Sequence, residues 1–396
     1  MAEPGTSRLR ERIAGELENL RERSQLRSLE IPSGINFCSN DYLGLAADPR
    51  LKQAVLEAVA SADRMGATGS RLLSGNSREW QELESEFAEF TGTEAALYFS
   101  SGYAANMGLL TSILQPGDVV FSDALNHASL IDGMRLSGAQ KIIYPHGDMQ
   151  FLEDALREKS RSTGAKVIVT ESIFSMEGDV ARVDDLVRLA KMYGAELIVD
   201  EAHALGVCGP QGRGIVAELK REREIFAIVY PCGKALASAG AFVCGSAQLR
   251  DFLINRARTF LFSTAMPPYF ARQIHAALAI ARAETFRRKH LNEIATALRE
   301  RLSAAGFNCG TSCTHIVPVI LGGNEAALRV AAQLQAAGFA VRAIRPPTVP
   351  EGTARIRLSL TSSITLEDIH RLVGAMDAAV HSLDPSSPTA ASLAHA

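Results

Sequence analysis

Short apolar runs alternate with helical patterns of apolar and polar residues between positions 95 and 245. The runs have the length of buried strands, and apolar residues recur every three or four positions between them. Strands that alternate with helices favour a mainly parallel sheet with helices on both faces. We therefore predict an α/β fold with seven strands, at 95–101, 119–123, 141–146, 166–172, 195–202, 225–230 and 240–245.

Two apolar stripes show the helical pattern most clearly. The stripe before the first strand predicts a helix that faces the core, and its members are Trp80, Leu83, Phe87 and Phe90. The stripe between the fourth and fifth strands is followed by Gly194, which favours helix termination, and its members are Val183, Leu186, Val187 and Ala190.

The final hundred residues have a different pattern. A helix near 324–337 precedes strands around 339–345 and 354–360. Thr365 and Asp368 then have the spacing of a capping box, which predicts the start of a last helix. This order of elements predicts a smaller α+β domain after the large one.

These patterns predict how the chain is divided. The predicted parts are an N-terminal helical arm, a large domain, a small C-terminal domain and a tail, at 1–44, 45–285, 286–383 and 384–396. The tail is rich in serine, proline and alanine, and such a composition favours disorder.

Composition narrows the classes of function. With 396 residues, 47% of them hydrophobic, the chain can bury the cores of two domains. A net charge of −3 does not favour binding to nucleic acids or anionic membranes. No apolar run approaches the roughly 20 residues of a membrane span, and residues 1–30 lack the apolar segment of a signal peptide. We therefore expect a cytoplasmic protein.

The six cysteines do not form the pattern of a disulfide framework in so long a chain. Cys309, Cys313 and His315 lie close in sequence, but no second pair of ligands has zinc-site spacing. Buried free thiols are the more common explanation, and no metal is expected.

Lys234 is the first candidate for chemistry. A strand-like run leads to it, small residues surround it, and a second apolar run follows. A poorly hydrated ammonium loses its proton more readily, which makes the amine a better nucleophile toward a carbonyl. Such a lysine can hold an aldehyde cofactor as a Schiff base. The alternative is an ordinary surface lysine in a turn.

Asp200 lies in the charged end of the apolar strand predicted at 195–202, and ligands of open α/β sheets bind beyond the carboxyl ends of strands. An aspartate that faces a pyridine nitrogen keeps it protonated, which makes pyridoxal phosphate (PLP) an electron sink. A helix N-cap or an ordinary loop carboxylate is the alternative for this residue.

Other candidates follow neighbouring strands. Ser101, Gly102 and Tyr103 lie where a strand meets a helix, and the N-terminus of a helix can bind phosphate. His127 could stack on a cofactor ring, although a lone histidine is more often structural. All candidates follow the carboxyl ends of successive strands, so we expect them at one edge: Ser101, Gly102, His127, Ser175, Asp200, His203 and Lys234.

Two glycine-rich segments are less informative. Residues 66–75 lack the order of a dinucleotide-binding loop, and they are interpreted as a loop near the substrate or a flexible connection. Residues 209–214 are interpreted as a turn.

Seven segments carry a resemblance to a known family. They are NFCSNDYLG at 36–44, GATGSRLLSG at 66–75, DALNHASL at 123–130, ESIFSMEGD at 171–179, VDEAHALG at 199–206, GKAL at 233–236 and LFSTAMPP at 261–268. By these segments the chain resembles the α-oxoamine synthases, which are PLP enzymes of fold type I. The resemblance implies a homodimer with the active site at the subunit interface.

The resemblance also implies a role for each candidate. Lys234 would attach PLP and act as general base, Asp200 would pair with the pyridine nitrogen, and His127 would stack on the ring. The remaining cofactor contacts would be Ser101, Gly102, Tyr103, Ser175 and His203, with Ser263 and Thr264 reaching the phosphate of the neighbouring subunit. The substrate contacts would be Asn40 and Arg357 for the amino-acid carboxylate, and Arg27 and Thr348 for the acyl group.

One position departs from the family. A threonine that donates to the phosphate usually lies three residues before the lysine, and this chain has Pro231 there, which lacks both a hydroxyl and an N–H. No phosphate role is therefore assigned to it. What compensates for the missing hydroxyl stays open.

The segment 343–355 most resembles the family members that condense L-alanine with pimeloyl-CoA or a pimeloyl-carrier protein. This condensation is therefore the expected activity. Two alternatives remain: a family member that joins glycine to acetyl-CoA, and a non-catalytic partner subunit of a heterodimer. Such subunits lack the lysine, whereas Lys234 is present.

Overall fold

The computed structural model describes residues 7–383. Its largest sheet has seven strands, and they match the seven predicted from the sequence to within a few residues. They are β2 (Ala95–Phe99), β3 (Val119–Asp123), β4 (Gln140–Tyr144), β5 (Lys166–Glu171), β6 (Glu196–Asp200), β7 (Ala227–Pro231) and β8 (Ala241–Gly245). The predicted α/β fold with a mainly parallel sheet is confirmed.

The strand order is β2-β8-β7-β6-β5-β3-β4. β8 is antiparallel to both of its neighbours, β2 and β7, and the other pairs are parallel. Since β2 and β7 both oppose β8, they run in the same direction. Six strands therefore end at the same edge of the sheet.

Helices cover both faces of this sheet. The helices of the described residues are α1 (Arg8–Glu22), α2 (Pro49–Ala60), α3 (Arg78–Thr91), α4 (Gly102–Ile113), α5 (Ala128–Ser137), α6 (Met149–Glu158), α7 (Val183–Tyr193), α8 (Ile215–Glu218), α9 (Ala247–Arg256), α10 (Arg258–Leu261), α11 (Pro268–Ala283), α12 (Thr285–Ala304), α13 (Asn324–Ala336) and α14 (Leu366–His381). Along β3, Val119 and Phe121 pack into one core while Val120 packs into the other. Alternate residues of a strand point to opposite faces, so both faces are buried.

The two apolar stripes face the core as predicted. All four residues of the first stripe are buried on α3, with Trp80 and Phe87 fully inaccessible. The stripe of α7 is buried too, and Gly194 ends that helix with a positive φ of 58°. Glycine adopts this left-handed conformation at the end of a helix with the least strain.

The C-terminal part contains a second sheet, antiparallel, with the order β11-β12-β9. Its strands are β9 (Ile316–Gly322), β11 (Ala343–Ile344) and β12 (Ala354–Ser359). β9 is missing from the sequence prediction, because Pro318 interrupts an otherwise apolar run. Proline is tolerated here since β9 lies at an edge of its sheet.

The predicted strand at 339–345 is wrong as a single element. It divides into β10 (Phe339–Ala340), which pairs in parallel with β1 (Ile35–Asn36), and β11, which pairs with β12. The pattern of apolar residues cannot show that a run changes partners halfway.

The capping box of Thr365 and Asp368 is present at the start of α14. The domain boundaries stay a prediction, and the tail at 384–396 lies outside the described residues.

The six cysteines are free thiols in the described residues. Cys232 and Cys244 are buried, but Cys313 is exposed, so the expectation of buried thiols is wrong for Cys313. It lies in the irregular segment between α12 and β9, for which the sequence pattern predicted no element. Between residues 7 and 383, no helix is both long and apolar enough to cross a membrane. Over the same range, no three histidine, cysteine or acidic side chains are grouped so that they could hold a metal ion.

Candidate active site

The predicted residues meet at the carboxyl edge of the seven-stranded sheet. Asp200 is the last residue of β6, and Lys234 follows β7 by three positions. His127 and Ser175 follow β3 and β5. The antiparallel β8 reverses direction between β2 and β7, which brings Ser101 to the same edge.

Lys234 lies half-buried in a turn between β7 and β8, beside the buried Ala235 and Leu236. Burial lowers the pKa of Lys234, and Arg357 adds to the effect, while Asp200 and Glu171 oppose it. The turn itself is held in an unusual conformation, because Ala237 has a positive φ of 44° and its carbonyl accepts a hydrogen bond from Gln273. The lysine is therefore neither a freely hydrated surface residue nor fully enclosed.

Asp200 is 4% exposed and caps no helix. Its Oδ1 accepts from the N–H of Ala202 at 2.8 Å, and its Oδ2 accepts from Nδ2 of Asn106 at 2.7 Å. A carboxylate oxygen can accept two hydrogen bonds, so both oxygens retain capacity for another donor. This arrangement suits a pyridinium N–H.

A second buried carboxyl, Glu171, lies beside Asp200 because the two residues are paired in the register of β5 and β6. Burial raises the pKa of Glu171 well above its usual value, and the charge of Asp200 raises it further. Two neighbouring carboxylates rarely ionise together in a poorly hydrated site. The raised pKa of Glu171 therefore favours the protonated form of this carboxyl.

His127 lies on the open side of the edge, where it caps α5. Its Nδ1 contacts the Ser129 hydroxyl at 2.8 Å and accepts from the Ser129 N–H at 3.2 Å. The Tyr103 ring stands edge-on to the imidazole, at a centroid distance of 6.4 Å. Loss of hydration within the concave site lowers the pKa of His127, and Asp200 opposes this shift. The result is an uncharged ring with an accessible face.

A hydrogen-bonded cluster joins the second histidine to the predicted carboxylate site. The Tyr42 hydroxyl lies 2.5 Å from Nδ1 of His203 and 3.1 Å from Oδ1 of Asn40. The same amide oxygen accepts from Nη1 of Arg357 at 3.2 Å. Arg357 also donates through Nε to the carbonyl of Ser175 at 2.5 Å. Tyr42 thus joins His203 to Asn40, and Arg357 joins Asn40 to Ser175.

The residues predicted to bind phosphate lie at the N-terminus of α4. Ser101 caps the helix, since its Oγ accepts from the N–H of Ala104. The first N–H groups of a helix have no partner within it and can bind an anion. A Cβ on Gly102 would lie 3.0 Å from Cγ of Pro231, so a larger residue would be crowded where the proline ring packs against the loop.

The remaining predicted residues form two separate groups. Ser263 and Thr264 line a surface cleft beside Ser100, and the segment 66–75 contacts the same stretch, since the Ala265 N–H donates to the Gly69 carbonyl. Arg27 and Thr348 are joined by a hydrogen bond of 3.1 Å although they lie 321 positions apart. The structure thus pairs the residues predicted for the acyl group, on an exposed part of the surface.

Sequence reasoning did not identify four polar residues of the site. They are Tyr42, Asn106, Ser129 and Glu171. Tyr42, Ser129 and Glu171 lie inside segments that carry the family resemblance, which was the available signal. Asn106 lies four residues after Gly102, one turn further along α4, and its polar side chain among apolar neighbours was the signal for it.

Comparisons with known proteins show the family to which the chain belongs. Residues 32–376 match the family model described as aminotransferase class I and II, and the chain belongs to this family. An 8-amino-7-oxononanoate synthase of Geobacter sulfurreducens is 44% identical over 379 residues, covering 92% of this chain and 96% of that protein. A serine palmitoyltransferase structure with PLP is 29% identical, with a TM-score of 0.88, and covers 95% of this chain and 99% of that chain. An 8-amino-7-oxononanoate synthase structure from Francisella tularensis is also 29% identical, with a TM-score of 0.76, covering 88% and 98%.

PLP is therefore the cofactor of this family member, and the residues present fit it. Asp200 offers free acceptor capacity, Lys234 offers an amine with a lowered pKa, and Gly102 leaves the helix terminus of α4 open. His127 offers the face of an uncharged imidazole. The predicted fold type and the predicted cofactor are both confirmed.

Proposed function

We propose that this chain condenses L-alanine with a pimeloyl thioester and releases CO2, which gives 8-amino-7-oxononanoate, an intermediate of biotin biosynthesis. The observation that carries the proposal is the meeting of Lys234, Asp200 and His127 at one sheet edge. It is supported by relatives named 8-amino-7-oxononanoate synthase that are 44% and 42% identical over most of the chain. The identity of the thiol carrier, CoA or carrier protein, stays open.

Lys234 would perform the first and last proton movements. PLP, when bound, supplies an electron sink for the electrons of the alanine Cα. The lowered pKa of Lys234 leaves more of its Nζ unprotonated, so this amine would hold the cofactor and would serve as the base for the alanine Cα proton. The turn that ends in Ala237 holds Nζ near Asp200, whose charge limits how far the pKa of Lys234 falls.

Asp200 and His127 would prepare the cofactor. Asp200 holds a proton at the pyridine nitrogen because its carboxylate is fixed by Asn106 and the Ala202 N–H. His127 supports the ring by stacking, which orients the reacting bond and adds no charge. His203, whose Nδ1 is held by Tyr42, and Ser175 would contact oxygens at the cofactor's edge.

Arg357 and Asn40 would bind the alanine carboxylate. Arg357 is only 8% exposed, and a planar guanidinium matches a carboxylate with two parallel hydrogen bonds. The contacts of Arg357 with Asn40 and with the Ser175 carbonyl fix its plane before substrate arrives. The joined Arg27 and Thr348 would contact the acyl group.

We further propose a homodimer in which Ser263 and Thr264 bind the phosphate of the neighbouring subunit. Several large apolar side chains are highly exposed in the single chain, and such side chains are available for a subunit interface. They include Leu29, Ile31, Leu73 and Phe262. The test is to mix a Lys234→Ala chain with a chain carrying Ser263→Ala and Thr264→Val. Restored turnover in the mixture would support a shared site, because one of the two sites would then be intact. The cytoplasmic location stays a prediction.

The assay that tests the reaction pairs alanine or glycine with pimeloyl-CoA or acetyl-CoA and measures CoA release. We expect the highest kcat/KM for alanine with the pimeloyl thioester. A preference for glycine with acetyl-CoA would assign the chain to the glycine-dependent reaction. No turnover with any pair, together with no visible absorption from bound PLP, would indicate a non-catalytic subunit.

A further inference from the structure

Two buried polar residues connect Asp200 to His127, and the proposed reaction uses only the contact between Asn106 and Asp200. Asn106 lies on α4 and Ser129 in the first turn of α5, and each is 1% exposed. Asn106 Nδ2 lies 2.7 Å from Oδ2 of Asp200 and 2.9 Å from Oγ of Ser129. Ser129 Oγ lies 2.8 Å from Nδ1 of His127. The four side chains form one continuous chain of hydrogen bonds.

The ionised carboxylate fixes the direction of every bond in this chain. A carboxylate only accepts, so the Asn106 group that faces Asp200 must be the amide nitrogen. The amide nitrogen donates its second hydrogen to Ser129, so Oγ of Ser129 is the acceptor in this hydrogen bond. The Ser129 hydroxyl hydrogen is then available only for Nδ1 of His127. The backbone N–H of Ser129 donates to the same nitrogen at 3.2 Å.

Two donors on Nδ1 decide where the imidazole carries its proton. A proton on Nδ1 would face the Ser129 N–H and the Ser129 O–H, so Nδ1 stays unprotonated and the proton resides on Nε2. Of the charged groups around the ring, Asp200 favours a positive imidazole and Lys234 opposes it, and Glu171 lies close to the His127 backbone. The Tyr103 ring packs against the imidazole at an interplanar angle of 75°.

The carbonyl of Asn106 provides an independent sign that its two N–H groups matter. Asn106 Oδ1 is buried and has no hydrogen-bond partner. A buried acceptor without a partner is costly, and an apolar side chain of similar shape would avoid this cost. The amide is therefore retained for its donors, which serve Asp200 and Ser129.

We propose that Asn106 and Ser129 are positioning residues that hold His127 as the neutral Nε2–H tautomer and couple its orientation to the carboxylate of Asp200. One chain of hydrogen bonds would then fix the positions of two groups: the carboxylate that faces the pyridine nitrogen and the imidazole that stacks on the cofactor. The catalytic consequence rests on the proposed function. The tautomer itself does not, because it is a property of the protein without substrate.

The test is ¹⁵N NMR of the full-length protein labelled at histidine, with and without PLP, with the His127 signals assigned by their loss in His127→Gln. We expect an unprotonated Nδ1 and a protonated Nε2 in the wild type. Ser129→Ala and Asn106→Leu should each shift the tautomer ratio toward Nδ1–H by about tenfold, the change that corresponds to one ordinary hydrogen bond. Ser129→Thr keeps the hydroxyl and should restore the wild-type ratio.

Ser137→Ala is the matched control, since Ser137 is a buried serine of the same helix whose hydroxyl bonds only to local backbone groups. It should leave the His127 signals unchanged. A wild-type His127 that carries its proton on Nδ1 would overturn the proposal, even if no variant folds. An unchanged ratio in folded Ser129→Ala would overturn it as well.

Kinetics of the holoenzyme distinguish a positioning role of Ser129 from a purely structural one. If the chain acts through His127, Ser129→Ala should lower kcat about tenfold with little change in the alanine KM, and Ser129→Thr should recover it. A changed tautomer with unchanged kcat would overturn the catalytic part of the proposal. Absence of the proposed condensation in the wild type would refute the function and leave the NMR result intact.

Discussion

His146 lies between two aspartates, and its replacement by glutamine should destabilise the protein in a pH-dependent manner. Nδ1 of the ring contacts Asp123 and Nε2 contacts Asp179, both at 2.9 Å. Thr311 donates to the same oxygen of Asp179, so the histidine links the end of β4 to the loop of Ser175 and to the turn before β9. The arrangement requires a donor at each ring nitrogen, which only the charged imidazole provides.

The structure sets the size and sign of the effect. Burial disfavours the charged ring, but the hydrogen bonds and charges of Asp123 and Asp179 outweigh burial and raise the pKa of His146 from 6.5 to about 10. One pKa unit corresponds to about 1.4 kcal/mol, so this rise corresponds to at most about 5 kcal/mol. Because the ring is 25% exposed, solvent screening reduces the expected stabilisation to about 2–4 kcal/mol.

The folded-state pKa lies above the unfolded value, so the stabilisation is complete below about pH 6.5 and disappears as the pH rises toward 10. Urea unfolding of the wild type and of His146→Gln at about pH 6 and about pH 9.5 measures this difference. We expect the variant to lose about 2–4 kcal/mol at the lower pH and much less at the higher pH.

The control is His275→Gln, which removes an exposed histidine that contacts Glu86 at 2.6 Å. An exposed pair contributes about 0–1 kcal/mol, so this variant should follow the wild type at both values of pH. Equal stability losses for His146→Gln at both values of pH would refute the reasoning, because they would show that the lost interaction carries no titrating charge.

Three other substitutions test the site. Lys234→Ala should leave a folded protein without turnover and without covalently attached PLP, and turnover near wild type would refute its assignment as the attached amine. His127→Ala should slow the proton transfer from alanine more than it weakens PLP binding, because stacking orients the ring and does not anchor the phosphate. Stopped-flow kinetics measure the proton transfer, and PLP titration measures the binding. Unchanged kinetics would show that His127 has a structural role only. Pro231→Thr should tighten PLP only modestly, by less than about tenfold, since a new hydroxyl bond to phosphate is offset by loss of the ring that packs beside Gly102. PLP titration of the two cofactor-free proteins decides this: a gain of about a hundredfold would show that no other donor compensates, and weaker binding would show that the proline restraint matters more.

The sequence alone was sufficient for much of the fold and for the candidate residues. Strand length and helical spacing are local properties, so the seven strands of the large sheet and the stripe on α3 could be predicted from neighbouring residues. Short motifs placed Lys234, Asp200 and His127 after strands, and the parallel pattern implied that they share an edge. Their roles stay predictions.

Tertiary structure decided which distant residues meet. No local pattern shows that Arg27 bonds to Thr348, that Tyr42 joins His203 to Asn40, or that Phe339 and Ile344 belong to different sheets. The direction of the hydrogen bonds from Asp200 through Asn106 to His127 could not be predicted from the sequence either, because it depends on the packing of β6, α4 and α5. Hydrogen-bond polarity and burial are properties of the folded contacts, and residues far apart along the chain acquire them only when the sheet and its helices assemble.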